Sequence, residues 1–166
     1  MVLDSQNYFE HLGKVESSNN YKAINTMGYI GKYQMGEPAL VDSGYYTKKT
    51  NYADYKNQWD MPFTGRMGVK SKKDFLNNQE AQEDAVRRYH NYIWKQIKEI
   101  AEKNHGKTIN GIKMTYSGMF AGAYLVGPGE LKKYKNWSDK EKRILRSTPW
   151  CEAPQCANAA AGEVLG

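Results

Sequence analysis

Glu16 is followed, at fixed intervals, by residue types that suit the holding of one carboxylic acid beside a polar ligand. Behind it come a polar loop, glycines at positions 28 and 31, and Gln34. A second short segment places Tyr124 shortly before a Gly-Pro-Gly turn. A carboxylic acid that donates a proton and takes one back, with an amide and a phenol that orient the ligand, is the equipment of general acid–base catalysis.

These two segments resemble the two motifs of the lytic transglycosylases and goose-type lysozymes, which cut the glycan strands of peptidoglycan. The first family motif has Glu-Ser, a later alanine, two glycines and a glutamine, and it is matched without a gap by Glu16, Ser17, Ala23, Gly28, Gly31 and Gln34. The second motif, Ala-Tyr-Asn-Ala-Gly-Pro-Gly, is matched by Ala123, Tyr124, Gly127, Pro128 and Gly129. The matched segments cover a minority of the chain.

The resemblance implies a role for three of these side chains. Glu16 becomes the acid that protonates the leaving oxygen of a glycosidic bond and then acts as a base. Gln34 lines the sugar site near the scissile bond, and the Tyr124 hydroxyl reaches towards the acid or an N-acetyl group. The alternatives are a solvated helix-end residue for Glu16 and hydrogen bonding inside the core for Gln34 and Tyr124.

Departures from the family pattern fall on the walls of the expected groove and therefore bear on substrate detail. Leu125 and Val126 replace an asparagine and an alanine, Lys32 and Tyr33 stand where Leu-Met is usual, and Asn25 stands where a serine is common. We count Asn25, Tyr29 and Tyr33 as candidate substrate-binding residues. The two tyrosines either stack on sugar faces or simply pack against their neighbours.

A second carboxylate would decide how the reaction ends. An inverting hydrolase needs one, roughly 6.5–9.5 Å from the first, to hold a water molecule. Lytic transglycosylases dispense with it, because the muramic 6-hydroxyl attacks and leaves a 1,6-anhydro end. No acid lies between Glu16 and Gln34. Glu37 is the nearest candidate, although the first turn of a helix is its preferred role; Asp42, Asp54 and Asp60 are weaker candidates.

The elements that must position these residues are mostly helical. The first helix, capped by Asp4 or Ser5, carries an apolar stripe of Tyr8, Phe9, Leu12 and Val15. Glu16 would lie at the edge of that stripe, where partial burial disfavours its charged form. The segment 17–33 predicts a loop or short hairpin, and a second helix runs from residue 36 or 37 to about Val41.

Further along, residues 45–70 form a long loop rich in aromatic residues. Ser71 then caps the longest helix, about 72–104, which Gly106 ends. An apolar helix over 116–126 follows, then two short basic helices. The predicted fold is mainly α, of the α+β lysozyme-like kind, with a small loop or β-hairpin region that forms a glycan-binding cleft.

The bulk properties bound the class of protein. The 166 residues suit one domain over 1–150 and a C-terminal tail over 151–166. A formal net charge of +6 suits an anionic polymer such as peptidoglycan, or serves solubility alone. No nucleic-acid-binding signature is present, and no apolar run is long enough to span a membrane. Cys151 and Cys156 either pair as a disulfide or remain thiols, and we expect no metal or other cofactor.

The expected place of action is the periplasm or the extracellular cell wall. The first residues lack the basic start and apolar core of a signal peptide, so delivery by another route, or as part of a larger protein, is expected. Phage lysis modules and secreted antibacterial toxins travel in that way. Glycan strands are the expected partner of a monomeric enzyme, and an immunity or inhibitor protein is a second candidate partner.

Two other functions remain open at this point. The first alternative is a non-catalytic glycan-binding module that keeps the groove, although a binder has no need of an acid at Glu16. The second is nucleic-acid binding, which depends only on the positive charge and scattered aromatic residues.

Overall fold

The computed structural model describes residues 5–51, 54–109 and 111–129, and the side chains of residues 5–7 are not included. Within these ranges the chain is mainly helical, as predicted. The helices are α1 (Ser5–Ser17), α2 (Glu37–Asp42), α3 (Lys72–Leu76), α4 (Gln79–Asn104) and α5 (Tyr116–Val126). The strands β1 (Thr108–Ile109) and β2 (Ile112–Lys113) form an antiparallel pair.

The chain divides into two compact units. A terminal unit combines the residues up to Leu12 with those from His90 onward, and a central unit comprises Gly13–Tyr89. The boundaries fall inside α1 and inside α4. The single domain predicted over 1–150, and its glycan-binding cleft, stay predictions.

The terminal unit has an aromatic core around His90. The apolar stripe of α1 supplies Tyr8 and Phe9, and α5 supplies Phe120, all almost fully buried. The rings of Tyr8, Phe9 and Phe120 lie 5.0–5.6 Å from the His90 ring. Helix α5 occupies the residues that its apolar composition predicts, and its first turn is capped by the Thr115 hydroxyl, which accepts from the Gly118 amide.

The central unit places its apolar side chains inside loops as well as helices. Ile30, Leu40 and Tyr45 are fully buried, and Phe75 and Val86 pack with them in the core. Val15, predicted to complete the buried stripe of α1, is instead 47% exposed. The buried part of the stripe therefore ends at Leu12, which is also the last residue of the first segment of the terminal unit.

The predicted helix over 72–104 is wrong at its start, because the helix breaks after Leu76 and the Asn78 side chain begins a new one. Ser71 caps a helix as predicted, since its hydroxyl accepts from the Asp74 amide, but that helix is the short α3. Asn78 then begins a new helix: its side-chain oxygen accepts from the Ala81 amide at 2.9 Å. Helix α4 ends at Asn104, and Gly106 follows with a left-handed φ of 80°.

Of the loop or short hairpin predicted over 17–33, the structure shows the loop. Between residues 17 and 35 the backbone makes isolated bridges, Ile24 with Ile30 and Ile30 with Met35, rather than strands. The two-stranded sheet lies instead at 108–113, where Asn-Gly, a strong turn signal, separates the strands.

No described helix has the length and apolar character that crossing a membrane requires. The two basic helices predicted after Gly129, the tail over 151–166 and both cysteines lie outside the described residues.

Candidate functional site

Glu16 lies in the last turn of α1, in the central unit, and is half-buried. The chain turns sharply behind it, because Ser18 and Asn19 both adopt left-handed φ values, 56° and 60°. Their amides donate to the carbonyls of Lys14 and Gly13, each at 3.0 Å. These backbone hydrogen bonds close the last turn of the helix and therefore fix the backbone that carries Glu16.

Ser17, the neighbour of Glu16, connects the end of α1 to the loop that follows. Its hydroxyl donates to the Lys32 carbonyl at 2.6 Å and accepts from the Asn20 amide at 3.0 Å. Both bonds are internal, so Ser17 supports the loop. The acid-bearing helix end is thus tied directly to the segment that contains the glycines and glutamine of the motif.

Gln34 lies in a tight turn with a left-handed φ of 50°. Its side-chain nitrogen donates to the Gly31 carbonyl at 3.0 Å and to the Ala23 carbonyl at 3.4 Å. The Gly31 amide donates to the same Ala23 carbonyl at 2.7 Å. Within the described part of the chain the Gln34 side-chain oxygen accepts no hydrogen bond, so the acceptor of this half-buried amide is the group left for a ligand.

The glycines of the motif are required by close approaches of neighbouring side chains and backbone. Gly31 has a φ of 83°, and a Cβ there would lie 2.5 Å from the side-chain oxygen of Gln82. Gly28 has a φ of 81°, and a Cβ there would lie 2.5 Å from the Asn57 carbonyl oxygen. Any other residue would be strained twice, by its φ and by the contact.

Asn25 and Tyr29 form a small exposed turn on this loop. The Asn25 side-chain oxygen accepts from the amides of Met27 and Tyr29, at 2.9 and 3.0 Å, which gives it a structural task. Tyr29 is 39% exposed, with one ring edge against Gly36. Tyr29 therefore remains available to stack on a ligand.

Exposed apolar side chains are concentrated near this turn. In the described chain, Ile24 is 52% exposed and Met27 68%, and Val15 and Tyr29 are also among the exposed large apolar residues. All four fall within a short stretch of sequence around Glu16 and its loop.

Lys32 and Tyr33, which precede Gln34 in the chain, are buried and share one partner. The Lys32 ammonium lies 2.9 Å from Glu83, and the hydroxyls of Tyr33 and Tyr21 donate to the same carboxylate at 2.6 and 2.7 Å. Arg87 donates a further bond at 3.0 Å. Tyr33 is only 1% exposed, so its ring packs inside the unit and offers no face to a sugar.

Glu83 is held as an anion by these donors. Burial opposes its ionisation, but the hydrogen bonds from Tyr33, Lys32 and Tyr21 outweigh that effect and keep the pKa below its usual range. Burial and the Glu83 charge raise the pKa of Tyr33, which therefore stays a hydrogen-bond donor. Glu83 is thus a structural anion and has no role as a proton donor.

Glu37, the possible second carboxylate, lies in the first turn of α2 and is fully buried. Its carboxylate is 3.3 Å from the Lys49 ammonium and accepts from the Gln58 amide at 3.2 Å. Lys49 also lies 2.6 Å from Asp60, whose pKa it holds below the usual range. The structure therefore gives Glu37 the predicted helix-turn position inside an ion-pair network.

Tyr124 belongs to the terminal unit, whereas the other candidate residues all belong to the central unit. Its ring stacks on His90, with centroids 5.3 Å apart and planes 23° apart. His90 is fully buried, and its Nε2 lies 2.8 Å from the Tyr8 hydroxyl. The stack fixes the orientation of the half-buried Tyr124 ring.

Sequence reasoning missed Glu83 and Gln82, which hold the loop in place from α4. Gln82 accepts from the Lys32 amide at 2.8 Å and donates to the carbonyls of Tyr21 and Phe75. The one available signal for Glu83 was Lys32 itself, because a lysine that becomes buried requires an acidic partner.

In the part of the chain that the structure covers, no group of three or more His, Cys, Asp or Glu side chains is arranged to hold a metal ion. Comparisons with known family models, with curated proteins and with solved structures gave no match.

Proposed function

We propose that this chain is a peptidoglycan-degrading muramidase, which cleaves the β-1,4 bond between N-acetylmuramic acid and N-acetylglucosamine. The observation that carries the proposal is the bond between the Ser17 hydroxyl and the Lys32 carbonyl, 2.6 Å long. It joins the helix end that bears a half-buried acid, Glu16, to the loop that bears Gln34 and Tyr29. An acid, a hydrogen-bond acceptor and an exposed aromatic ring are thus carried by connected elements.

The proposed reaction begins with a proton transfer from Glu16 to the leaving O4 oxygen, as the bond between C1 and O4 breaks. Glu16 then takes a proton from the incoming hydroxyl, as that oxygen bonds to C1. In the lytic transglycosylase outcome the hydroxyl is the muramic 6-OH, and no water is consumed. In the lysozyme outcome it is water.

The environment of Glu37 favours the transglycosylase outcome. A carboxylate that activates water must reach the water molecule, whereas Glu37 is fully buried and its charge faces Lys49. No acid lies between Glu16 and Gln34 in the sequence. A reaction that uses the muramic 6-OH as nucleophile requires only Glu16.

A muramidase of this kind acts on the wall in the periplasm or outside the cell, and we propose a phage lysis module or an antibacterial toxin as its context. A cell that makes a toxin against its own wall polymer needs protection from it. An immunity or inhibitor protein is therefore the proposed second partner, beside the glycan strands.

The test is mass spectrometry of the muropeptides that the wild-type protein and the Glu16→Gln variant release from purified sacculi. We expect 1,6-anhydromuramic ends from the wild type and none from the variant. Glu80→Gln is the matched control, because it makes the same change at an exposed position of α4. Glu37→Gln should release the same kind of end as the wild type.

Other outcomes point elsewhere. Reducing muramic ends would establish a hydrolase and would reopen the search for its second carboxylate. Equal product from wild type and Glu16→Gln would remove Glu16 as the acid. Binding to sacculi without release of any product would favour the non-catalytic glycan-binding module.

A further inference from the structure

Residues of the long loop, among 48–50 and 54–61, line an open pocket of about 440 Å³ that the proposed reaction does not use. Its volume falls within the range of small-ligand sites, roughly 300–1,000 Å³. The charged side chains that line it are Lys48, Lys49, Asp54, Lys56 and Asp60. All of them belong to the central unit.

One wall of the pocket is fixed before any ligand arrives. The Lys49 ammonium lies 2.6 Å from Asp60 and 3.3 Å from the buried Glu37, and it donates to the Asp54 carbonyl at 3.0 Å. The Lys49 amide also donates to the Tyr55 hydroxyl at 2.8 Å. Lys49 is therefore committed to the protein and shapes the pocket instead of supplying a free charge.

The charges that remain are of both signs. Lys48 and Lys56 are exposed, and in the described ranges neither lies in an ion pair. The Asp54 side chain is likewise exposed and forms no ion pair with any described residue. A ligand that enters the pocket thus meets two exposed ammonium groups and one exposed carboxylate, although the Lys48 charge also acts on the Asp42 carboxyl and lowers its pKa against the effect of burial.

Two side chains of the same loop bond to the turn over residues 25–29, which carries Tyr29. Asn57 donates to the Met27 carbonyl at 3.2 Å, and the Trp59 indole donates to the Gly28 carbonyl at 2.9 Å. Both residues have left-handed φ values, 54° and 57°. Such strain persists only where the surrounding structure enforces it, so the loop is held in register with the turn that carries Tyr29.

We infer that this pocket binds the peptide stem of peptidoglycan, a short peptide that carries free carboxylates and an ammonium group. The inference rests on the proposed function for the choice of polymer. The stem carboxylates match Lys48 and Lys56, and its ammonium group matches Asp54. A phosphate polymer has negative charges alone, so it would leave Asp54 without a partner and beside a like charge.

The experiment uses a synthetic tetrapeptide of L-alanine, D-glutamate, L-lysine and D-alanine, titrated into the full chain and followed by the amide resonances. We expect saturable shifts in the loop over 47–61. Binding by the Lys48→Ala, Lys56→Ala double variant should be about fivefold weaker, since each exposed charge contributes little alone. The same peptide with amidated carboxylates should lose the shifts.

Matched variants separate this inference from the proposed cleavage. The Lys72→Ala, Lys73→Ala double variant removes the same charge from exposed positions of α3 outside the pocket, so it should bind as the wild type does. Glu16→Gln should also bind the peptide normally. If sacculi are not cleaved but the peptide binds in the loop, the proposed function fails and the pocket remains.

Three results would overturn the inference. The first is a titration without saturable shifts in the loop. The second is equal binding by the wild type and the Lys48→Ala, Lys56→Ala variant. The third is an oligonucleotide that binds in the loop and depends on these two lysines, while the peptide does not, which would identify the pocket as a site for phosphate polymers.

Discussion

The ammonium nitrogen of Lys32 lies 2.9 Å from the carboxylate of Glu83, although the lysine side chain is only 2% exposed. Lys32 occupies a position where the resembling family carries an apolar residue. A buried lysine is tolerated only with a charged partner, and Glu83, some fifty positions away in the chain, supplies it. The buried charge of Lys32 is therefore compensated from α4.

Removal of that partner should be costly. Glu83→Gln leaves the buried Lys32 ammonium without its counter-charge, and we expect the free energy of unfolding to fall by about 3 kcal/mol. Chemical denaturation measures the change. Glu80→Gln, one turn earlier on an exposed face of α4, should change stability by less than about 0.5 kcal/mol. Equal stability of the two variants would contradict the structural role of Glu83.

Acid should remove the same contribution from the wild type. The folded-state pKa of Glu83 lies below its ordinary value of 4.5, so the unfolded chain binds this proton more readily than the folded chain. The stabilisation is complete above the unfolded-state pKa and is lost as pH falls through the folded-state pKa. The difference in unfolding free energy between wild type and Glu83→Gln should therefore shrink below pH 4.5. A constant difference from pH 7 to pH 3 would oppose this explanation.

Gly31→Ala should be more harmful than the same change at another left-handed glycine. Gly65 has a similar φ, 87°, but a Cβ there would meet nothing within 4 Å, so Gly65→Ala carries the φ strain alone, about 1 kcal/mol. At Gly31 the contact with Gln82 adds to that strain, and we expect a total near 3 kcal/mol. Thermal unfolding compares the two variants directly, and similar melting temperatures would contradict the close approach.

We expect Tyr29 to be a binding residue and Tyr33 a structural residue. Tyr29→Ala removes an exposed ring, so glycan affinity should fall by about 1–2 kcal/mol, or five- to thirty-fold, with little loss of stability. Tyr33→Phe removes the bond to Glu83 and should lower stability by about 1–2 kcal/mol while affinity is kept. Retention on insoluble glycan and denaturation, measured on both variants, give the two quantities. A loss of stability in Tyr29→Ala, together with a loss of affinity in Tyr33→Phe, would reverse the assignment.

The helices were the readily predictable part of this fold. The 116–126 helix was predicted to the residue, because its apolar run ends at a Gly-Pro-Gly turn, which stops a helix. The start of helix α2 was predictable because Glu37-Pro38 marks a first turn, and its C-terminal end differs from the prediction by one residue. Both signals are local in the chain, and local signals are what sequence reasoning reads well.

The errors have two sources, one local and one distant. The break before α4 depends on the Asn78 cap, a local signal three residues from its partner Ala81 that was overlooked. The loop behind Glu16, in contrast, takes its shape from Gln82 and Glu83 on α4, some fifty positions away, and no sequence pattern marks these partners. The motif predicted which candidate residues share a loop. It did not predict that the Tyr33 ring is buried, because the sequence does not report burial.

Gln82 has an evolutionary consequence. Its single amide satisfies the Lys32 amide and two carbonyls, and it occupies the space that any side chain at Gly31 would need. Positions 31 and 82 are therefore coupled. A larger residue at 31 always carries the strain of its φ of 83°, and it escapes the contact with Gln82 only when residue 82 is smaller. A smaller residue at 82 leaves the Lys32 amide and the Tyr21 carbonyl without this partner, whereas the Phe75 carbonyl still accepts from the Asn78 amide. We expect relatives of this chain to keep glycine at 31 wherever 82 is glutamine.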